Sequence, residues 1–137
     1  MATQAQYVAT PKNGVAQVSV ANTNRDGTGT LETVYQAGTS GSRIDALQIQ
    51  ATATTTAGMI RFFISNDNGT TKRLVGEVAV TAITPSATVA AFSTIIGNGI
   101  TGSFLTKGLV MQANAILYAS THNAETFNII PVIAGDF

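Results

Sequence analysis

Short runs that alternate apolar and polar residues, each closed by Gly, Asn or Ser, recur along the whole chain. A period of two places every second side chain on one face of a strand, and runs rich in Thr, Val, Ile and aromatic residues favour strands over helices. Residues 15–20 alternate Ala16, Val18 and Val20 with Val15, Gln17 and Ser19. Residues 30–36 set Leu31, Thr33 and Tyr35 against Glu32 and Val34. Residues 43–50 carry Ile44, Leu47 and Ile49, and the alternation slips at Ala46-Leu47 as it does at a bulge. Residues 59–65 set Ile60, Phe62 and Ile64 opposite Met59, Arg61 and Phe63, and further runs lie at 72–80, 90–96, 109–112, 115–121 and 126–133.

The turn Asn66-Asp67-Asn68-Gly69 is expected to join 59–65 to 72–80 as a hairpin, because Asn and Gly tolerate positive φ. The corner His122-Asn123-Ala124-Glu125 is expected to pair 115–121 with 126–133 in the same way. No window shows the i, i+3, i+4, i+7 stripe of an amphipathic helix. The expected fold is all-β: a two-sheet antiparallel sandwich, jelly-roll-like, of eight or nine short strands. Its core is expected to contain Ile44, Ile60, Phe62, Ile64, Val78, Phe92, Leu117, Phe127 and Ile129.

A chain of 137 residues makes one domain, large enough to bury a stable core without a staple. That domain is expected over residues 13–137. Cysteine is absent, which excludes disulfides, thiolate metal sites and thiol nucleophiles. Lys and Arg together number 7, as do Asp and Glu, so the chain lacks the basic excess that neutralises nucleic-acid phosphates. Little charge repulsion keeps its copies apart, and a homo-oligomer is expected. No run approaches the roughly 20 apolar residues of a membrane span. Met1 to Thr10 lack the basic-then-apolar order of a secretory signal, so the protein is expected to work where it is made or to leave the cell by lysis.

Two segments stand outside the alternating pattern. Residues 1–12 are small and polar and read as a flexible N-terminal arm; Tyr7 and Val8 are the first side chains able to dock, and Pro11 biases Thr10 towards an extended form suited to strand addition on a neighbour. Residues 97–108 form a Gly-rich loop holding Ile100, Phe104 and Leu105, which are either tucked beneath it or presented to a partner.

Residues with potential chemistry are sparse. His122 is the lone histidine, and with only Glu125 nearby in sequence it cannot complete a zinc site. Ser120, His122 and Asp136 supply the residue types of a catalytic triad, but their spacing does not bring them together. Asp26-Gly27-Thr28-Gly29-Thr30 has the glycines of a phosphate loop without its Lys-Ser/Thr ending or a following helix. Asp26 and Asp67, with their neighbouring Asn residues, offer oxygens to calcium, although a turn accounts for both segments. Asn68-Gly69-Thr70 matches a glycosylation sequon. With no Trp, aromatic platforms for sugar stacking reduce to Tyr7, Phe104 and Phe137. No catalytic residue, cofactor or metal site is expected.

The run Asn24-Arg25-Asp26-Gly27-Thr28-Gly29-Thr30, continued by Leu31-Glu32-Thr33-Val34-Tyr35, resembles small β proteins encoded among the head genes of tailed bacteriophages. So do Gly41-Ser42-Arg43-Ile44-Asp45, Thr54-Thr55-Thr56-Ala57-Gly58-Met59-Ile60-Arg61, Ala82-Ile83-Thr84-Pro85-Ser86 and Ser120-Thr121-His122-Asn123-Ala124-Glu125-Thr126-Phe127. The resemblance implies a capsid decoration or cement protein: a homotrimeric sandwich bound to the major capsid protein on the virion surface, assembled in the host cytoplasm, with no nucleic acid or membrane partner and no catalytic residues. The alternative is a receptor- or carbohydrate-binding module of a fibre or tail.

Overall fold

The computed structural model describes residues 8–99 and 103–137. They form ten strands and no helix: β1 (Thr10–Pro11), β2 (Ala16–Val18), β3 (Glu32–Gln36), β4 (Ser42–Ala51), β5 (Gly58–Ser65), β6 (Arg73–Val80), β7 (Ser93–Gly97), β8 (Leu109–Met111), β9 (Ile116–Thr121) and β10 (Phe127–Asp136). Two antiparallel sheets result, as the alternation implies. The six-stranded sheet centres on β4 and β10, and the four-stranded sheet runs β3-β9-β5-β6.

Both edges of the larger sheet are made of two short pieces. β1 pairs with β10 at Asp136 and Gly135, and β2 pairs with the same strand at residues 127–129. Across the sheet, β7 takes residues 46–50 of β4 and β8 takes residues 42–44. Short, interrupted edge strands offer poor templates for runaway pairing. At the centre, Pro131 faces Leu47, Ile133 faces Ala46 and Ala134 faces Ile44, so Val132 and Asp45 are each extra residues in their strands. The slip at Ala46-Leu47 in the sequence marks this double irregularity.

The core lies between the sheets. Ile44, Leu47, Ile49, Phe127 and Ile129 enter from one side and Ile60, Phe62 and Leu117 from the other, all essentially buried, with Phe92 closing the layer edge-on to Phe127. Ile64 and Val78 are half-buried against that core. Asn68 and Gly69, with φ of 59° and 86°, make the turn between β5 and β6, which pair as a hairpin.

The expected hairpin between 115–121 and 126–133 does not form. β9 belongs to the smaller sheet and β10 to the larger, so the corner at 122–125 crosses the sandwich. Phe127 and Ile129 must face Leu117 and Phe62 across the core, and strands paired side by side in one sheet could not do this. The corner instead packs on the crossing from β4 to β5: Glu125 accepts from Thr56 N and Oγ1 at 2.8 and 3.0 Å, and Asn123 Nδ2 donates to Thr56 Oγ1 at 2.9 Å.

Candidate functional site

The two outer faces of the sandwich differ in kind. On the larger sheet, register and burial turn Gln17, Asn128, Gln50 and Ser93 outward in one row and Ile130, Gln48 and Ile95 in the next. Beyond them lie Val132 and Ile133 at the bulge, and Val110 beside Arg43. Ile95, Ile133 and Val110 are 47%, 50% and 68% exposed, which makes an open apolar band. The polar side chains around it bond to one another within the face: Gln17 Nε2 donates to Asn128 Oδ1 at 2.9 Å, and Gln48 Nε2 to Ser93 Oγ at 3.3 Å. The strands of this sheet carry three charged residues, Arg43, Asp45 and Asp136. Arg43 Nε and Asp45 Oδ1 pair at 3.0 Å, and Asp136 turns inward to the Tyr35 hydroxyl.

The outer face of the smaller sheet is closed. Arg61 and Phe63, outward positions of β5, are buried, and a strap formed by residues 21–31 is fastened beside them. Ala21 bridges in parallel to Thr121, whose carbonyl accepts from Asn22 N at 2.8 Å. Asn22 organises the strap from inside, donating to Thr28 O and Thr30 O at 2.9 and 3.0 Å and accepting from Asn24 N at 3.0 Å. A Cβ on Gly27, whose φ is 87°, would collide with the Lys72 carbonyl, so the strap lies directly against the start of β6. Arg25 Nε reaches both Glu77 oxygens at 3.0 and 3.1 Å, and Glu77 also accepts from the buried Arg61 at 2.9 Å. Hydrogen bonding to Arg25 and the charge of that guanidinium, followed by the bond from Arg61, hold the Glu77 carboxyl below the usual range despite its desolvation.

This arrangement places most of the residues singled out for chemistry. His122 lies at the strap, where its Nδ1 is 3.1 Å from Arg61 Nη1; a guanidinium only donates, so that nitrogen accepts. Ser120 stands opposite Arg61 in register, and its buried Oγ has no partner among the described residues. Asp136 does not join them. Its carboxylate is taken by Tyr35, Gly38 N and Lys12, so the geometry assembles no triad.

Asp26 and Asp67 serve their own loops. Asp26 accepts from Thr28 N and Oγ1, and Asp67 from Thr71 N at 2.8 Å and Ser65 Oγ at 2.8 Å; both carboxyls are held below the usual range by these bonds. A cleft of about 320 Å³ beside Asp67, lined also by Ile64, Asn66, Thr71 and Arg73, is at the small end for a ligand pocket. No group of three His, Cys, Asp or Glu residues placed to hold a metal occurs among the described residues.

Of the expected interaction residues, Tyr7 and Ile100 lie outside the described residues. Phe104 packs on Phe62 with ring centroids 5.1 Å apart and covers Gly76, and Leu105 is fully buried. Both face inward: Leu105 belongs to the core and Phe104 packs against it. Val8 packs over Gly135, and Thr10 and Pro11 spend their strand pairing on β10 of their own chain. The open band itself had a sequence signal: in the doublets Ile95-Ile96, Ile129-Ile130 and Val132-Ile133, two adjacent strand residues cannot both face the core. A comparison with protein-family models and a search of curated proteins each find no match to this chain.

Proposed function

We propose that this chain is a structural protein of a bacteriophage virion, a capsid decoration or cement protein that docks on the outer capsid surface and stabilises it. The observation that carries this reading is the open face of the six-stranded sheet, an apolar band among polar side chains bonded to one another, with its one charged pair neutralised internally. Such a face suits a flat, uncharged protein surface, which the major capsid protein would supply, and does not suit phosphate or an anionic lipid. The resemblance to phage head proteins supports the same reading. In it the sandwich is jelly-roll-like and three copies associate at the threefold positions of an icosahedral shell.

Apolar docking without charge predicts binding that persists in high salt. The test mixes the purified chain with capsids lacking it and measures bound copies at low and high salt, for the native chain and for Ile95→Asp and Ile133→Asp. Saturation at many copies in proportion to capsomers, undiminished by salt and lost in both variants, is the expected result. Failure to bind, or saturation at a few copies confined to one vertex, overturns it; the second outcome belongs to a fibre or tail module.

A further inference from the structure

The chain contains three Asn-Gly pairs, Asn13-Gly14, Asn68-Gly69 and Asn98-Gly99. This pair is open to internal attack, because glycine has no Cβ to obstruct the approach of its main-chain nitrogen to the asparagine carboxamide carbon. The nitrogen must be free to turn towards that carbon. At two of the pairs it is occupied: Gly69 N donates to Ser65 Oγ at 2.9 Å, and Gly99 N donates to Thr106 O at 2.9 Å while Asn98 N is tied to Asp45 O at 2.7 Å. Asn13 and Gly14 differ. They are exposed in the link between β1 and β2, neither the Gly14 nitrogen nor the Asn13 side chain has a hydrogen-bond partner among the described residues, and nothing lies within 4 Å of where a Gly14 Cβ would stand.

We propose that Asn13 is a modification site, converted by spontaneous deamidation in the folded protein. The Gly14 nitrogen bonds to Asn13 Cγ; its proton leaves with the carboxamide NH₂ as ammonia, and a succinimide ring remains. Water then opens the ring. Cleavage at Cγ leaves aspartate at position 13, and cleavage at the main-chain carbonyl leaves an isoaspartyl link with one more carbon in the backbone path.

Both products act on the closure of the N-terminal segment. Lys12 is anchored by its Nζ to Gln36 O at 2.6 Å and Asp136 Oδ2 at 3.3 Å, and by its main-chain nitrogen to Ala134 O at 3.1 Å. A new carboxylate next to Lys12 competes for its ammonium. The longer isoaspartyl path shifts β1 relative to β2, and both strands are registered on the same β10. Deamidation therefore loosens β1, so the grip of this segment weakens as the protein ages.

The test incubates the native full chain at mildly alkaline pH and follows all three sites by peptide mapping that separates Asn, Asp and isoaspartyl forms. Asn13 is expected to convert roughly five- to tenfold faster than Asn68 or Asn98, the factor that one main-chain hydrogen bond contributes. In the urea-denatured chain the three rates should converge. Gly14→Ala, which meets open space, should suppress conversion at Asn13 without lowering the unfolding temperature. Conversion at Asn68 or Asn98 as fast as at Asn13 in the native chain overturns the proposal, as does the same site order in the denatured chain.

Discussion

The Asp136 carboxylate accepts from the Tyr35 hydroxyl at 2.8 Å, Gly38 N at 3.2 Å and Lys12 Nζ at 3.3 Å, joining the C-terminal strand to two segments near the start of the chain. Burial alone would raise its pKa; the bonds from Tyr35, Gly38 and Lys12 outweigh that, and the net shift is downward. A carboxyl with a depressed folded-state pKa contributes stability that is present above its unfolded value and is lost as pH falls through the folded one. Burial, and then Asp136, push the Tyr35 phenol well above its ordinary value, so its contribution holds below the unfolded phenol value and is lost as pH rises through the folded one. Asp136→Asn should therefore flatten the acid limb of the stability curve, and Tyr35→Phe the alkaline limb. At neutral pH Tyr35→Phe should cost about 1–3 kcal/mol, because it removes a bond to a charged acceptor. Denaturant unfolding across pH checks all three effects. An acid limb unchanged in Asp136→Asn would show that another carboxyl controls it.

Among the elements, the strap at 21–31 depends most on a single side chain. Asn22 makes its three hydrogen bonds while only 5% exposed, and Gly29, with φ of 83°, leaves room for that amide: a Cβ there would lie 2.7 Å from Asn22 Nδ2. Asn22→Ala should cost about 2–3 kcal/mol by stranding the Thr28 and Thr30 carbonyls. Hydrogen exchange should show the amides of Asn24 and Thr28 losing protection while those of β4 keep theirs. If β4 loses protection equally, the strap is part of the cooperative core.

Every run read from the two-residue period coincides with a strand from β2 to β10, because period and β-branched content are local properties. β1 escaped notice since two residues, one of them Pro11, carry no period. Strand partners were less legible than strands. The Asn68-Gly69 turn predicts its own hairpin, but the 122–125 corner looks equally tight in sequence and crosses between sheets instead. What decides it is which face Phe127 presents, and that depends on Phe92 and Ala51, far away along the chain. The burial of Arg61 was hidden for the same reason: its partners, Glu77 and His122, stand 16 and 61 positions further along the chain.

At the scale of the whole molecule, one outer face is covered by the chain itself and the other is left open, and this asymmetry separates stability from binding. Phe63 and Ile133 both lie away from the sandwich core, yet Phe63 is fully buried and Ile133 is half exposed. Phe63→Ala should cost about 3–5 kcal/mol, as for any buried ring, although the alternation alone would class it as a surface change. Ile133→Asp should cost about 1–2 kcal/mol, from the buried half of the isoleucine and the poor strand propensity of Asp, while the new carboxylate stays in water. The same substitution places a charge in the apolar band, where a docked partner would strip its hydration, so association should fall by far more than stability does. Thermal unfolding and capsid binding measured on both variants give the comparison. The expected pattern is reciprocal: Phe63→Ala, tested below its lowered unfolding temperature, still binds, and Ile133→Asp, fully folded, does not. Should Ile133→Asp bind normally, the open band is not the docking face, and the strap with its exposed Arg25 becomes the surface to test next.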